Sequence, residues 1–163
     1  MRAQNIRRNT MRYTLIILVL IVASPLWAAP PAVYIKQTDL GLEAAYKQLY
    51  AALEQEKFWI VFEADLLARM SRFKDKWGQA FNRAELSGAK AMVFCNIWWT
   101  NQMASADPDM LALCPLHVSL YEKDVKTSVV MLRPSVVANG SGAMDEAMKL
   151  EKELTGIIEA ALP

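Results

Sequence analysis

From Val33 to Ala161 short apolar runs alternate with amphipathic stretches, and this alternation constrains the fold more than any single motif. Val33 to Thr38 is rich in β-branched and aromatic residues and reads as a first strand. Asp39 then has the chemistry of a helix N-cap. Leu42, Ala45, Tyr46, Leu49, Ala52 and Leu53 recur every three or four residues, which lays one apolar stripe along a helix ending near Lys57. Phe58 to Phe62 is almost wholly apolar and reads as a buried strand. Leu66, Met70, Phe73 and Trp77 return to helical spacing, with Arg69, Arg72, Lys74 and Lys76 as a solvated face, until Gly78 stops the helix.

After a polar segment ending at Ser87-Gly88, Ala91 to Cys95 reads as another buried strand, and Asn96 to Leu113 as a helical or irregular segment interrupted at Asp107-Pro108. Leu116, Val118 and Leu120 alternate with His117, Ser119 and Tyr121, the period of a strand with one buried face. Glu122 to Lys126 has hairpin length, and Thr127 to Leu132 returns as its partner strand. Ala147, Leu150, Leu154, Ile157, Ile158 and Ala161 form the core stripe of a final helix. The order is strand, helix, strand, helix, strand, helix, hairpin, helix. It implies a single small α+β domain over residues 29–163, a mostly antiparallel sheet with helices packed on one face. There is no internal repeat and no second domain, and 163 residues suit one core.

The first 28 residues have a different character. Arg2, Arg7, Arg8 and Arg12 precede the uninterrupted apolar run Thr14 to Ala23, and Ser24-Pro25 breaks it before Leu26-Trp27-Ala28. This is the layout of a signal peptide cleaved after Ala28, with translation starting at Met1 or Met11. The expected location is therefore periplasmic or secreted, with membrane contact only in transit. Cleavage leaves 14 basic and 17 acidic residues, a mildly acidic chain that offers no basic surface for nucleic acid.

Phe94-Cys95-Asn96, then Ala106-Asp107-Pro108, Cys114 and Val118-Ser119-Leu120-Tyr121-Glu122, resemble in order and spacing the domain-of-unknown-function 302 family. Glu56 to Val61 and Glu63-Ala64-Asp65 fit the same pattern, so the resemblance runs from about Val33 to Pro134. It implies a small α+β fold, often dimeric, and carries no activity with it. Ile97 stands where the family usually has Pro, and Leu113-Cys114-Pro115 where it usually has Leu-Pro-Cys.

Candidate chemistry centres on two cysteines. Cys95 ends one strand and Cys114 precedes the next, so adjacent strands can bring them together. A structural disulfide worth about 3 kcal/mol, two unpaired thiols and a redox pair are all open readings. His117 follows Cys114 by three residues with Met103 and Met110 upstream, so Cys114 and His117 are the only metal candidates; alternation puts His117 on the polar face, and no metal or cofactor is expected. Asn96, Trp98, Trp99 and Gln102, with His117, form the candidate ligand- or partner-binding set, because Trp anchors tend to dominate interfaces. One buried and one exposed indole is the simpler reading of the Trp pair. Glu63 and Asp65 suit a turn and cap better than paired acids. No Ser-His-Asp order, phosphate-cradling loop or His-Glu metal motif occurs, so no catalytic residue is assigned. The expectation is an exported, non-enzymatic module that binds a small ligand or a protein and is stabilised by one disulfide, with a thiol-redox or metal-linked accessory protein built on Cys95, Cys114 and His117 as the alternative.

Overall fold

The computed structural model describes residues 31–163, which form one compact unit. The signal-peptide segment lies outside the described residues. Five strands, β1 (Val33–Thr38), β2 (Trp59–Asp65), β3 (Gly88–Cys95), β4 (Leu116–Lys123) and β5 (Lys126–Leu132), make a single antiparallel sheet in the order β1-β5-β4-β3-β2. The helices α1 (Leu42–Gln55), α2 (Leu66–Ser71), α3 (Lys74–Trp77), α4 (Ile97–Ala106), α5 (Pro134–Val137) and α6 (Met144–Ala161) connect them, with 3₁₀ turns at Gly78–Ala80 and Pro108–Leu113. The α+β class expected from the sequence is the observed one. Among the described residues no helix is long and apolar enough to cross a membrane.

Side chains alternate across each strand, and the inner row of each central strand is apolar except at one end, where Lys90, Glu122 and Thr127 stand. Met92 and Phe94 of β3, Leu116, Val118 and Leu120 of β4, and Val129 and Met131 of β5 are buried. They meet Leu42, Ala45, Leu49 and Leu53 of α1, Ala147, Leu150, Leu154, Ile157 and Ile158 of α6, and Trp99 and Met103 of α4. Both long helices thus bury the stripes read from their spacing.

Several local expectations need correcting. The N-cap of α1 is Gly41, with no side-chain cap bond, rather than Asp39; the carboxylate of Glu122 accepts from Leu42 N instead. The run from Phe58 is not a strand buried on both sides. Phe58 itself sits in the core just before β2, but β2 is an edge strand and leaves Trp59, Val61 and Phe62 about half exposed or more. An irregularity between Ile60 and Phe62 lets two residues oppose one on β3, so the apolar run is turned outward rather than inward. The helix expected from Leu66 to Trp77 breaks at Arg72-Phe73 into α2 and α3, and neither buries a residue. The β4–β5 hairpin closes at Asp124-Val125, both left-handed (φ 51° and 64°), which matches the twist of a two-residue turn.

Candidate functional site

The strands' outward rows build the surface on which the candidate residues stand. Register places Val33, Leu132, His117, Val93 and Phe62 in one row across the sheet, and Ile35, Val130, Ser119, Ala91 and Ala64 in the next. Neither row contains an acidic residue, a lysine or an arginine, and no helix covers Ile35, Leu132 or His117, which are exposed; Phe62, also exposed, has only the Arg69 side chain over its ring. The sheet therefore has one face against the helices and one open face.

At one end of that face β3 runs into α4. The Asn96 side chain accepts from Trp98 N (3.0 Å) and Trp99 N (3.2 Å), capping α4, and donates to Glu56 O (3.4 Å). Asn96 is thus held as a cap, and its hydrogen-bonding capacity is spent locally. The two indoles diverge, as the simpler reading of the pair has it. Trp99 is buried against the core with its Nε1 donating to Glu153 Oε2 (3.1 Å), whereas Trp98 is 64% exposed. Gln102 is half-buried, and Trp59, opposite Cys95 in the sheet, is exposed beside them.

Cys95 and Cys114 are free thiols, so the expected disulfide is not formed. Thr100, one turn into α4, stands beside both: its hydroxyl lies 3.2 Å from Cys95 Sγ, 3.4 Å from Cys114 Sγ and 3.0 Å from Asn96 O. Its single proton goes either to Asn96 O or to Cys114 Sγ, and Cys95 lies beside Cys114 as well. Burial pushes the Cys114 thiol up, the Thr100 bond offsets part of this, and the nearby Cys95 adds to the rise. A raised thiol is protonated at neutral pH, the opposite of what a reactive dithiol needs. The spacing of Cys95 and Thr100 across the start of a helix is the signal that could have found this contact; the approach of Cys114 is tertiary and has none.

His117 points from the open face, exposed, opposite Val93. It borders a cavity of about 140 Å³ lined with Ala112, Leu113, Pro115, Leu116 and Leu132. No cluster of three or more His, Cys, Asp or Glu able to hold a metal occurs among the described residues. Asp65 accepts from Ala68 N (2.8 Å) as the cap of α2, and Glu63 accepts from the Tyr46 hydroxyl (2.6 Å), which places both acids in structural roles. A second cleft, of about 310 Å³, lies away from the candidate set between Leu42, Asp65, Ala68, Ser87 and Lys90.

Comparison with known proteins bears on the fold and the lineage. A solved structure, an uncharacterized conserved DUF302 protein from Bacillus stearothermophilus, is similar with a TM-score of 0.69 at 14% identity, covering 80% of this chain and 98% of that one. At that identity the likeness speaks for the fold alone. No curated protein matches the chain. The family profile described as Domain of unknown function DUF302 matches residues 34–161, nearly the whole described domain, and the chain belongs to that family.

Proposed function

We propose that the protein is an exported, non-enzymatic binding module that recognises protein rather than a small molecule, and that its first partner is a second copy of itself, seated on the open sheet face. The observation that carries this reading is the pair of outward rows with no acidic residue, lysine or arginine, one ending at Val33 and Phe62 and the next at Ile35 and Ala64. Two such faces meet without like-charge repulsion, and a two-fold interface asks one patch to complement itself. The cavity beside His117, about 140 Å³, is smaller than the ~300–1,000 Å³ that encloses a small organic ligand, which favours a flat protein contact over a pocket. Exposed Trp98 and Trp59 at the end of the face are the natural anchors.

The test is the oligomeric mass of the chain alongside Ile35→Lys and Ser119→Lys. Both positions point from the open face, so the fold and its thermal melt should persist. The parent chain is expected to be dimeric, and each lysine, desolvated without a partner, to weaken the dimer roughly 30-fold or more, about 2 kcal/mol. A monomeric parent chain, or a dimer indifferent to both substitutions, overturns the reading.

A further inference from the structure

One stretch of the chain is amphipathic by sequence and covered only at its start, where α2 rests on β3 with Leu66, Leu67 and Met70 half-buried. Leu66, Met70, Phe73 and Trp77 have the spacing of a core stripe, yet α2 and α3 bury no residue, and every side chain from Ser71 to Ala80 is exposed. Phe73 and Trp77 are 47% and 42% exposed and stack on each other, ring centroids 5.2 Å apart and 17° from parallel. The Arg69 guanidinium lies 5.9 Å over the ring of Phe62, whose own side chain is 53% exposed, so the aromatic surface continues from the arm onto the edge strand.

Charge is segregated with it. Residues 66–83 carry Arg69, Arg72, Lys74, Lys76 and Arg83 against the single acid Asp75, while the other described residues carry nine basic and sixteen acidic side chains. Among the described residues none of these five cations is in an ion pair. An acidic domain thus presents one cationic, aromatic projection.

We propose that the segment Leu66–Trp77 is a membrane-surface anchor that lays Phe73 and Trp77 into the headgroup region of an anionic bilayer. Aromatic rings with one apolar and one polar aspect sit at the level of lipid headgroups, and Lys and Arg beside them are drawn to anionic lipid. A deformable bilayer suits this element better than a folded partner does, because Phe73 and Trp77 stand outside the cleft that Leu67, Ala68 and Ser71 line and have no groove beside them to receive another protein's side chains. This inference is independent of the sheet-face dimer and is read by lipid partition rather than by mass.

The experiment uses residues 29–163. The compact unit is Pro31–Pro163, and it holds all five strands, every described helix and the whole core cluster, so the folded domain is tested with its own contacts intact. Co-sedimentation is measured with vesicles of phosphatidylcholine alone and of phosphatidylcholine mixed with phosphatidylglycerol. Binding is expected to the mixed vesicles only, and to fall as salt rises. Each exposed cation removed should weaken it about fivefold, so the triple variant R72Q/K74Q/K76Q should bind roughly a hundredfold less. Trp77→Ala should bind less by about tenfold, with the domain still folded and losing only the stacking contact with Phe73. Equal binding to both vesicle types, no binding to either, or mixed-vesicle binding untouched by the triple substitution overturns the proposal. So does a chain that ignores vesicles and binds polyglutamate through the same residues, which would assign the arm to an acidic polypeptide.

Discussion

Helix α6 and the arm Leu66–Trp77 have the same sequence signature and opposite fates. Both repeat large apolar residues every three or four positions, with charge between them. In α6 the stripe is sealed, with Leu150 and Leu154 fully buried; in the arm Phe73 and Trp77 remain nearly half exposed. Periodicity states that a helix has an apolar side, and says nothing about whether anything in the same chain is available to cover it. Here α6 crosses the inner sheet face and packs on α1, whereas in the arm only α2 rests against β3, with Leu66, Leu67 and Met70 half-buried, and everything from Ser71 to Ala80 is exposed.

The sharpest way to break this comparison is truncation. Leu154→Ala should cost about 2–5 kcal/mol in urea unfolding, because a fully buried leucine leaves a cavity. A cost below 1 kcal/mol would show α6 to be no better covered than the arm. Smaller is the effect of the ion pair that ties α6 to the end of β5. Glu151 accepts from Arg133 Nη1 (2.6 Å) and from Ser135 N (3.1 Å) and its hydroxyl. Burial alone would raise this carboxyl, but the Ser135 bonds and then the Arg133 bond outweigh it and hold it below its ordinary value near 4.5. A depressed carboxyl contributes stability above its unfolded pKa, and loses it as pH falls through the folded value. Glu151→Gln should therefore cost about 1.5–3 kcal/mol at neutral pH and flatten the acid limb of the stability profile below pH 4.5. An acid limb identical to that of the parent chain would remove Glu151 from the account.

Third comes Trp99→Phe, which keeps the core ring but deletes the Nε1 bond to Glu153, at about 1 kcal/mol. Trp98→Ala, one residue earlier and exposed, should leave the melt unchanged while weakening the dimer. Small as well is the effect of Phe73→Ala, which loses one exposed stacking contact worth about 0.5–1.5 kcal/mol at most. A loss as large as that of Leu154→Ala would mean that the arm is core after all.

What was legible in the sequence followed from local pattern. The bounds of β1 and the stripes of α1 and α6 needed only spacing, and the alternation about His117 correctly put it on the outward row of β4. What was not legible was tertiary. The run Trp59 to Phe62 has the composition of a central strand, but position in the sheet is decided by which strands find partners on both sides, and β2 finds one only on β3. Cap assignment failed at Asp39 for a similar reason, since the amide of Leu42 is satisfied from Glu122, distant in sequence. Likewise the two cysteines come within reach of one hydroxyl, a geometry set by the turn before β4 that no spacing rule encodes.

The proposed dimer on the open face and the two unbridged thiols beside Thr100 make one account. The direct test is the native mass, under non-reducing conditions, of the protein purified from the cell envelope of its host. The account predicts a non-covalent dimer with both thiols of each chain intact. A monomer, or a chain carrying a bound metal or a thiol adduct, would contradict it.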